Sequence, residues 1–231
     1  MQTLGIVGGM SWESTAVYYR QLNEGVRERL GGLHSAPLLL HSVDFAGIAA
    51  LQKSGDWEAA GQQLAAVAQG LERAGAKALL LATNTMHKVA GAIEAAVDIP
   101  LLHIGDGVGH ALQGQGKRKV ALLGTRFTMQ QDFYRVRLAE RFGIEVLVPT
   151  AEEMTEVDRI IFAELCVGVI KPASREYYLA CLERLGAAGA EAAILGCTEI
   201  GLLLDGAQSP LPLIDSTTVH VQMGLDWLLS L

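Results

Sequence analysis

The stretch that decides the fold joins a helix end, Leu182-Glu183-Arg184-Leu185-Gly186-Ala187, to a buried strand, Ala193-Ile194-Leu195-Gly196-Cys197-Thr198-Glu199. An apolar run followed at once by small and polar residues is typical of a strand that ends at the edge of a sheet. The chain contains the same unit once before, where Leu71-Glu72-Arg73-Ala74-Gly75-Ala76 leads into Leu79-Leu80-Leu81-Ala82-Thr83-Asn84-Thr85. Thr83 and Cys197 therefore occupy matching positions, each just past a strand.

A second pair of segments supports an internal repeat. Gly5-Ile6-Val7-Gly8-Gly9 corresponds to Ala121-Leu122-Leu123-Gly124-Thr125 at an offset of 116 residues, and Thr83 corresponds to Cys197 at an offset of 114. Self-similarity at a nearly constant offset is the signature of a duplicated structural unit. We therefore predict two related halves.

Short apolar strands alternate with amphipathic helices along the whole chain. In the segment 56–74, apolar residues recur at steps of three and four, which indicates a helix with one buried face. Alternation of this kind predicts parallel βαβ units and an α/β fold. The predicted strands are Thr3–Val7, Pro37–Ser42, Ala78–Ala82, Pro100–Ile104, Lys119–Leu123, Glu145–Val148, Ala192–Leu195 and Leu211–Ile214.

Composition and charge narrow the class of protein. Half of the 231 residues are hydrophobic, as expected for parallel strands buried on both faces. No apolar run reaches the ~18 residues of a membrane helix, and the first residues do not resemble a signal peptide. We therefore expect a cytoplasmic protein that does not bind membranes. The net charge of −7 argues against a nucleic-acid partner.

The sequence gives no sign of a metal or cofactor site. Three cysteines are too few and too unevenly spaced for a disulfide framework or a zinc site. The six histidines show no ligand spacing, and no pattern marks a lysine that would bind pyridoxal phosphate. We expect a protein that works without cofactor or metal.

Cys197 is the strongest candidate for chemistry. Backbone N–H groups and a helix start directly after the strand would lower the pKa of its thiol and favour a reactive thiolate. The alternative is an inert cysteine that only packs in the core.

Two further polar segments have both a functional and a structural interpretation. Thr83-Asn84-Thr85-Met86-His87 could bind a carboxylate, or it could cap the predicted helix Lys88–Ala96. Gly8-Gly9-Met10-Ser11 lacks the spacing of a nucleotide-binding loop. Its backbone amides could approach a small anion, or the segment could be a tight turn with Ser11 opening the helix Ser14–Leu30.

The two strand-end motifs, Thr83-Asn84-Thr85-Met86-His87 and Gly196-Cys197-Thr198-Glu199, resemble the two signatures of the aspartate/glutamate racemase family. The resemblance covers nearly the whole chain. The opening Gly8-Gly9-Met10 and the Cys-Thr-Glu form are similar to the aspartate racemase branch. Within that branch, Gly8–Thr15 and Asn84–Lys88 resemble bacterial broad-specificity and L-aspartate/glutamate-specific amino-acid racemases.

The resemblance implies a racemase that needs no cofactor and usually forms a homodimer. It implies two pseudo-symmetric α/β domains, each a mostly parallel sheet flanked by helices, with the active site in the cleft between them. The C-terminal segment is expected to return to the first domain, so that residues 1–98 with 210–231 form the N-terminal domain and 99–209 the C-terminal one.

The resemblance also implies the site residues, with one departure from the family. The family's first catalytic cysteine corresponds to Thr83, which makes the catalytic pair Thr83 and Cys197. Gln52, expected in a loop after Asp44-Phe45, and Glu164 correspond to positions that contact substrate. The full set of implied substrate-binding residues is Met10, Gln52, Asn84, Thr85, Glu164, Thr198 and Glu199.

Three hypotheses follow for function. The first is racemisation of aspartate or glutamate, by removal and return of the α-proton. The second is a single-cysteine decarboxylase or isomerase of the same superfamily, which the poor basicity of a threonine hydroxyl favours. The third is a non-catalytic module that binds acidic amino acids.

Overall fold

The computed structural model describes residues 1–204 and 206–230. Asp205 and Leu231, which fall inside the predicted domains, lie outside the described residues. The chain divides into two compact units, one made of Met1–Ile104 with the segment from His220 onward and the other of Gly105–Val219.

Each unit contains one four-stranded parallel sheet, which confirms the predicted α/β class and all eight predicted strands. The first sheet has the order β2-β1-β3-β4 and the second has the order β6-β5-β7-β8. The strands are β1 Leu4–Gly8, β2 Leu38–Ser42, β3 Ala78–Leu81, β4 Leu101–Leu102, β5 Lys119–Gly124, β6 Glu145–Leu147, β7 Ala193–Gly196 and β8 Leu213–Asp215.

The strand registers reproduce the internal repeat. In the first sheet Gly5 pairs with Leu79, and in the second its repeat partner Ala121 pairs with Ala193. Leu79 and Ala193 are separated by the same 114 residues as Thr83 and Cys197. Thr83 and Cys197 therefore each lie four positions beyond equivalent paired residues, Leu79 and Ala193.

Helices connect the strands, as the alternating pattern predicts. The predicted helix 56–74 is confirmed, because Asp56 caps its start by accepting a hydrogen bond from the Ala59 amide. In the described residues no helix is long and apolar enough to cross a bilayer. The helices are α1 Trp12–Leu30, α2 Phe45–Ser54, α3 Trp57–Arg73, α4 Ala90–Glu94, α5 Ile104–Gly114, α6 Arg126–Gln130, α7 Asp132–Phe142, α8 Ala151–Ala163, α9 Pro172–Ala187, α10 Ile200–Leu203 and α11 Ser216–Leu229.

The cores follow from the alternation of side chains along buried strands. In β3, Leu79 and Leu81 pack with α3 residues such as Leu64 on one face of the first sheet. Leu80 packs on the other face with residues of α1 and α11, including Leu225. In the second unit, β5 and β7 pack against α8 and α9.

Both changes of unit come later along the chain than the sequence predicts. We expected residue 99 to open the second domain, but β4 pairs with β3 and closes the first sheet. We expected Leu211–Ile214 to return to the first domain, but β8 pairs with β7 in the second sheet. Only the later part of α11 packs in the first unit. The reason is that each half adds a fourth strand through one more parallel pairing, which local sequence does not encode.

Candidate functional site

Thr83 lies two residues beyond the end of β3, at the carboxyl edge of the first sheet. Its amide donates to the Leu81 carbonyl at 2.8 Å, and its own carbonyl lies 2.7 Å from His87 Nδ1. Both backbone polar groups of Thr83 are therefore held by the first unit. Among the described residues, its half-buried hydroxyl has no hydrogen-bond partner, so this side chain is available to a ligand.

His87 has a tautomer that its neighbours define. The Ile104 amide donates to His87 Nε2 at 3.1 Å, and a nitrogen that accepts from an amide carries no proton. The neutral ring must therefore carry its proton on Nδ1, which donates to the Thr83 carbonyl. A proton relay from His87 to the Thr83 hydroxyl does not fit this pattern, since both ring nitrogens bond to the backbone.

Asn84 and Thr85 follow Thr83 and are each only 8% exposed. They lead into a 3₁₀ segment, Thr85–Val89, that precedes α4. The side chain of Asn84 makes no capping hydrogen bond to this segment, but the Asn84 carbonyl accepts from the His87 amide at 3.1 Å, so the turn expected in the structural interpretation is present. The predicted helix Lys88–Ala96 is observed as the end of the 3₁₀ segment followed by the shorter α4.

The glycine-rich segment after β1 is a turn whose amide is used internally. The Gly9 amide donates to Thr15 Oγ1 at 2.8 Å, and Ser11 opens α1 by accepting from the Ser14 amide. Gly9 has φ +91°, and a Cβ there would lie 2.2 Å from the Val43 carbonyl oxygen. Of the two interpretations, the structural one accounts for this amide.

Met10 and Gln52 lie beside the segment that contains Thr83. Met10 is 6% exposed and belongs to the same core cluster as Met86. Gln52 Nε2 lies 2.9 Å from Met86 Sδ. Gln52 is on α2 and not in a loop as we expected, because Asp44 caps a helix that begins at Phe45. In the first unit, Thr83, Asn84 and Thr85 thus lie at one strand end, and Gln52 contacts Met86 of the same segment.

Cys197 directly follows β7 in the second unit and is half-buried. Its thiol donates to Glu199 Oε2 at 2.9 Å, and the Thr198 hydroxyl donates to the same oxygen at 2.8 Å. The short helix α10 begins at Ile200, immediately after this group. Cys197, Thr198 and Glu199, which the sequence predicts as site residues, therefore form one hydrogen-bonded cluster.

The electrostatics of this cluster differ from the prediction of a low thiol pKa. Burial raises the pKa of the Cys197 thiol well above its usual range, and the charge and hydrogen bond of Glu199 raise it further. We expected backbone amides and the helix dipole to lower it. A backbone hydrogen bond from Glu199 does lower the pKa, but burial of the thiol and the Glu199 carboxylate outweigh it. A thiol whose pKa is raised in this way is protonated at neutral pH.

Glu164 ends α8, and its side chain is fully used by its own unit. Its carboxylate is 3% exposed and accepts from Ser174 Oγ at 2.6 Å, from Arg159 at 3.0 Å and from Lys171 at 3.3 Å. The Ser174 hydrogen bond is the largest cause that lowers the pKa of this carboxyl, and the two cations act in the same direction. This arrangement differs from the predicted substrate contact, because the carboxylate already anchors the segment that follows α8.

No sequence pattern predicts the buried histidine cluster next to Thr83. His103 and His220 are 3% and 0% exposed, and their rings lie 4.4 and 5.7 Å from that of His87 between centroids. His220 bonds to Tyr18 and to the Leu102 carbonyl. No local motif links these residues, and only a strand order that brings β4 next to β3 could have indicated the cluster.

Comparisons with known proteins agree with this architecture. The model of the family described as Asp/Glu/Hydantoin racemase matches residues 7–224. The chain belongs to this family. The matched residues include both strand-end motifs.

Individual members of the racemase family resemble the chain over different lengths. A candidate Asp/Glu racemase from Yersinia pestis is 48% identical, with a TM-score of 0.95 over 99% of this chain and 100% of that one. An aspartate racemase homologue from Pyrococcus horikoshii OT3 is 35% identical, with a TM-score of 0.87 over 99% of both chains. The broad specificity amino-acid racemase RacX of Bacillus subtilis (strain 168) is 28% identical over 152 residues, which span 64% of this chain and only 63% of that protein.

Proposed function

We propose that this protein is a cofactor-independent amino-acid racemase that acts on aspartate or glutamate. The observation that carries the proposal is the equivalence of Thr83 and Cys197. They follow matching strands of two sheets with the same order, in a chain that belongs to the Asp/Glu/Hydantoin racemase family. Racemisation needs one proton-transfer group for each face of the α-carbon, and a duplicated strand end supplies one such group twice.

In the proposed reaction, Glu199 accepts the proton of the Cys197 thiol, and the resulting thiolate removes the α-proton of the L-enantiomer. The hydrogen bond between these side chains already directs the thiol proton to the carboxylate. The role of Cys197 towards the L-enantiomer follows the family resemblance. A thiolate is a competent base near neutral pH once its proton has an acceptor.

The carbanion formed in this step must be stabilised without a cofactor. We propose that Asn84 and Thr85 donate hydrogen bonds to the substrate carboxylate, which takes up the developing charge. The Thr198 hydroxyl is proposed to turn to the same carboxylate from Glu199 once Glu199 has taken up the thiol proton. Met10 and Gln52 are proposed to contact the substrate from the first unit. Glu164 is the exception among the predicted contacts, since its buried carboxylate is held by a hydroxyl and two cations.

On the opposite face, the Thr83 hydroxyl is proposed to deliver a proton to the carbanion. Its alkoxide is far too basic to persist, so a water molecule replaces the proton in the same step. The hydroxide that remains is neutralised when Glu199 releases to water the proton that it took from Cys197. The two enantiomers have equal energy, so kcat/KM must be equal in both directions. Thr83 must therefore act in both directions as well, and its weak acidity limits the rate of both.

The test is to incubate the protein with L- and D-aspartate, L- and D-glutamate and one neutral amino acid in D₂O. Proton NMR measures loss of the α-proton, and chiral chromatography measures inversion. We expect exchange and inversion with the acidic substrates. Binding in a titration with neither exchange nor inversion would instead support the non-catalytic module.

A single-cysteine decarboxylase or isomerase is the second candidate, because the first unit offers a hydroxyl where a second thiol would be expected. In that reaction Cys197 would protonate one face of an enolate. Product analysis with a substituted malonate separates the two functions, since only the decarboxylase releases CO₂ and forms one enantiomer.

The resemblance to the family also leads us to propose a homodimer in the cytoplasm. The three cysteines are free thiols, which suits a reducing compartment. Light scattering coupled to size-exclusion chromatography should give twice the mass of one chain, and cell fractionation tests the location.

A further inference from the structure

We propose that His87 is a positioning residue, which sets the direction of the Thr83 side chain by fixing the Thr83 carbonyl to the end of β4. The inference deepens the proposed function, because it rests on Thr83 as the second proton-transfer group. It does not make His87 an acid or a base.

The strand pairing between β3 and β4 ends before it reaches Thr83. The last paired residues are Leu80 and Leu102. Thr83 and Ile104 lie beyond them, so neither is held by strand pairing between β3 and β4. The His87 ring joins these two points through Nδ1 to the Thr83 carbonyl and through Nε2 to the Ile104 amide.

The His87 ring is rigid, so it holds the Thr83 carbonyl and the Ile104 amide at a fixed distance from each other. His87 is 2% exposed, and the rings of His103 and His220 contact it edge to face, which restricts its rotation. Burial lowers the pKa of His220 to about 4, so this neighbour is neutral near pH 7. A neutral donor-and-acceptor ring matches the carbonyl and the amide that it joins.

At Thr83, only the side chain remains free to rotate. With its amide bonded to Leu81 and its carbonyl bonded to His87, its backbone orientation is set, and χ1 alone directs the hydroxyl. A misplacement of about 1 Å at a reacting group can lower a rate by about 10²-fold. The bond from His87 is therefore expected to matter for inversion and not for the chemistry at Cys197.

Two variants test the two hydrogen bonds of His87 separately. In His87→Asn, the side-chain amide nitrogen can take the place of Nδ1 and still donate to the Thr83 carbonyl. In His87→Gln, the longer side chain can accept from the Ile104 amide but leaves the Thr83 carbonyl without its donor. Each variant loses one of the two bonds and is comparable in polarity, so each is the control for the other.

The experiment measures two rates in each protein with L-glutamate in D₂O: exchange of the α-proton, which Cys197 performs, and inversion, which also needs Thr83. We expect His87→Asn to invert within about threefold of the parent and His87→Gln to invert at least about tenfold more slowly. Exchange should change less than threefold in both. Thermal unfolding of the three proteins checks that they are folded, and the ¹⁵N spectrum of the parent should show a neutral ring protonated on Nδ1.

Equal inversion by the two variants would overturn the proposal, and so would a parallel loss of exchange and inversion in His87→Gln. A His87 ring protonated on Nε2 would overturn it without reference to activity. A parent that neither exchanges nor inverts any amino acid would overturn the racemase proposal, and the positioning role with it. That result is distinct from a parent that inverts and does not respond to His87→Gln.

Discussion

At the end of β3 the Thr83 hydroxyl has no hydrogen-bond partner among the described residues, whereas at the matching end of β7 the Cys197 thiol donates to Glu199. The two sheets have the same strand order and matching registers, and the two strand ends occupy equivalent positions in the repeat. Their chemistry differs, because the Thr83 hydroxyl is a very weak acid, whereas the Cys197 thiol is hydrogen-bonded to a carboxylate. Duplication supplies the geometry at both ends, and the neighbouring side chains decide what each end can do.

Removing the thiol tests the second strand end and has the largest expected effect. Cys197→Ala should lower α-proton exchange with L-glutamate by at least about 10³-fold, since the thiolate base and its conjugate acid, the thiol, are both lost. Cys166→Ala is the matched control, because Cys166 is an exposed cysteine outside any disulfide and has the smallest of the named effects on the pKa of Cys197. Iodoacetamide should inactivate the parent and Cys166→Ala, with protection by substrate. Exchange that survives in Cys197→Ala would eliminate the thiolate mechanism.

The second prediction concerns the base that holds this thiol. Glu199→Gln keeps an oxygen near the thiol but cannot accept its proton, so exchange near pH 7 should fall by about 10²-fold and recover as pH rises. The direction of the change in rate distinguishes two roles of Glu199. Its charge raises the pKa of Cys197. If the carboxylate only opposed ionisation of the thiol, Glu199→Gln would therefore exchange faster than the parent. A pH–rate profile of both proteins distinguishes the two roles.

The comparison also shows how far the sequence leads. The eight strands, the helix 56–74 and the pairing of Thr83 with Cys197 can be predicted, because buried strands and a repeat leave local patterns. The fourth strand of each sheet was assigned to the wrong unit, since only its pairing partner identifies it. The pKa of Cys197 was predicted in the wrong direction, because burial of the thiol and the charge of Glu199 outweigh the backbone hydrogen bond.

The third prediction converts the first strand end into the second. Thr83→Cys should raise racemisation by about tenfold or more, because a group whose pKa lies closer to neutrality transfers protons more efficiently. The gain in kcat/KM must be equal from the L and D sides. Thr83→Ser keeps the hydroxyl and should stay near the parent, whereas Thr83→Ala should lose inversion but keep exchange at Cys197. If Thr83→Ala inverts as well as the parent, the single-cysteine alternative becomes the better hypothesis.

The fourth prediction concerns stability, in which the two units also differ. The first unit buries His220, whose pKa is lowered by burial to about 4 from an ordinary value of 6.5. The unfolded chain binds a proton on this histidine more tightly than the folded chain does. The contribution of neutral His220 to the free energy of unfolding is therefore complete above pH 6.5 and is lost as pH falls towards 4. The shift in pKa corresponds to about 3 kcal/mol of this free energy. His220→Gln can still donate to the Leu102 carbonyl and is the control.

Urea unfolding at pH 7.5, 6, 5 and 4 measures this contribution. The excess stability of the parent over His220→Gln should shrink by about 3 kcal/mol across that range. Other buried histidines are common to both proteins and cancel in the difference. A constant difference from pH 7.5 to 4 would mean that His220 is not neutral in the folded chain.

The smallest expected effect concerns Glu164, where the second unit buries a charged carboxylate. Hydrogen bonding lowers the pKa of Glu164 below its ordinary value of 4.5. Its contribution to stability is therefore complete above pH 4.5 and is lost only as pH falls through the depressed value, a more acidic window than that of His220. Glu164→Gln should lower Tm by a few degrees near pH 7, and the loss should fade in acid as the parent carboxyl takes up a proton.

Ser174→Ala removes the same short hydrogen bond from its other side, so the double variant should be less destabilised than the sum of the two single variants. KM for glutamate should be unchanged in Glu164→Gln, because the carboxylate serves Ser174, Arg159 and Lys171. A raised KM with an unchanged Tm would return Glu164 to the substrate-binding residues that the sequence predicts.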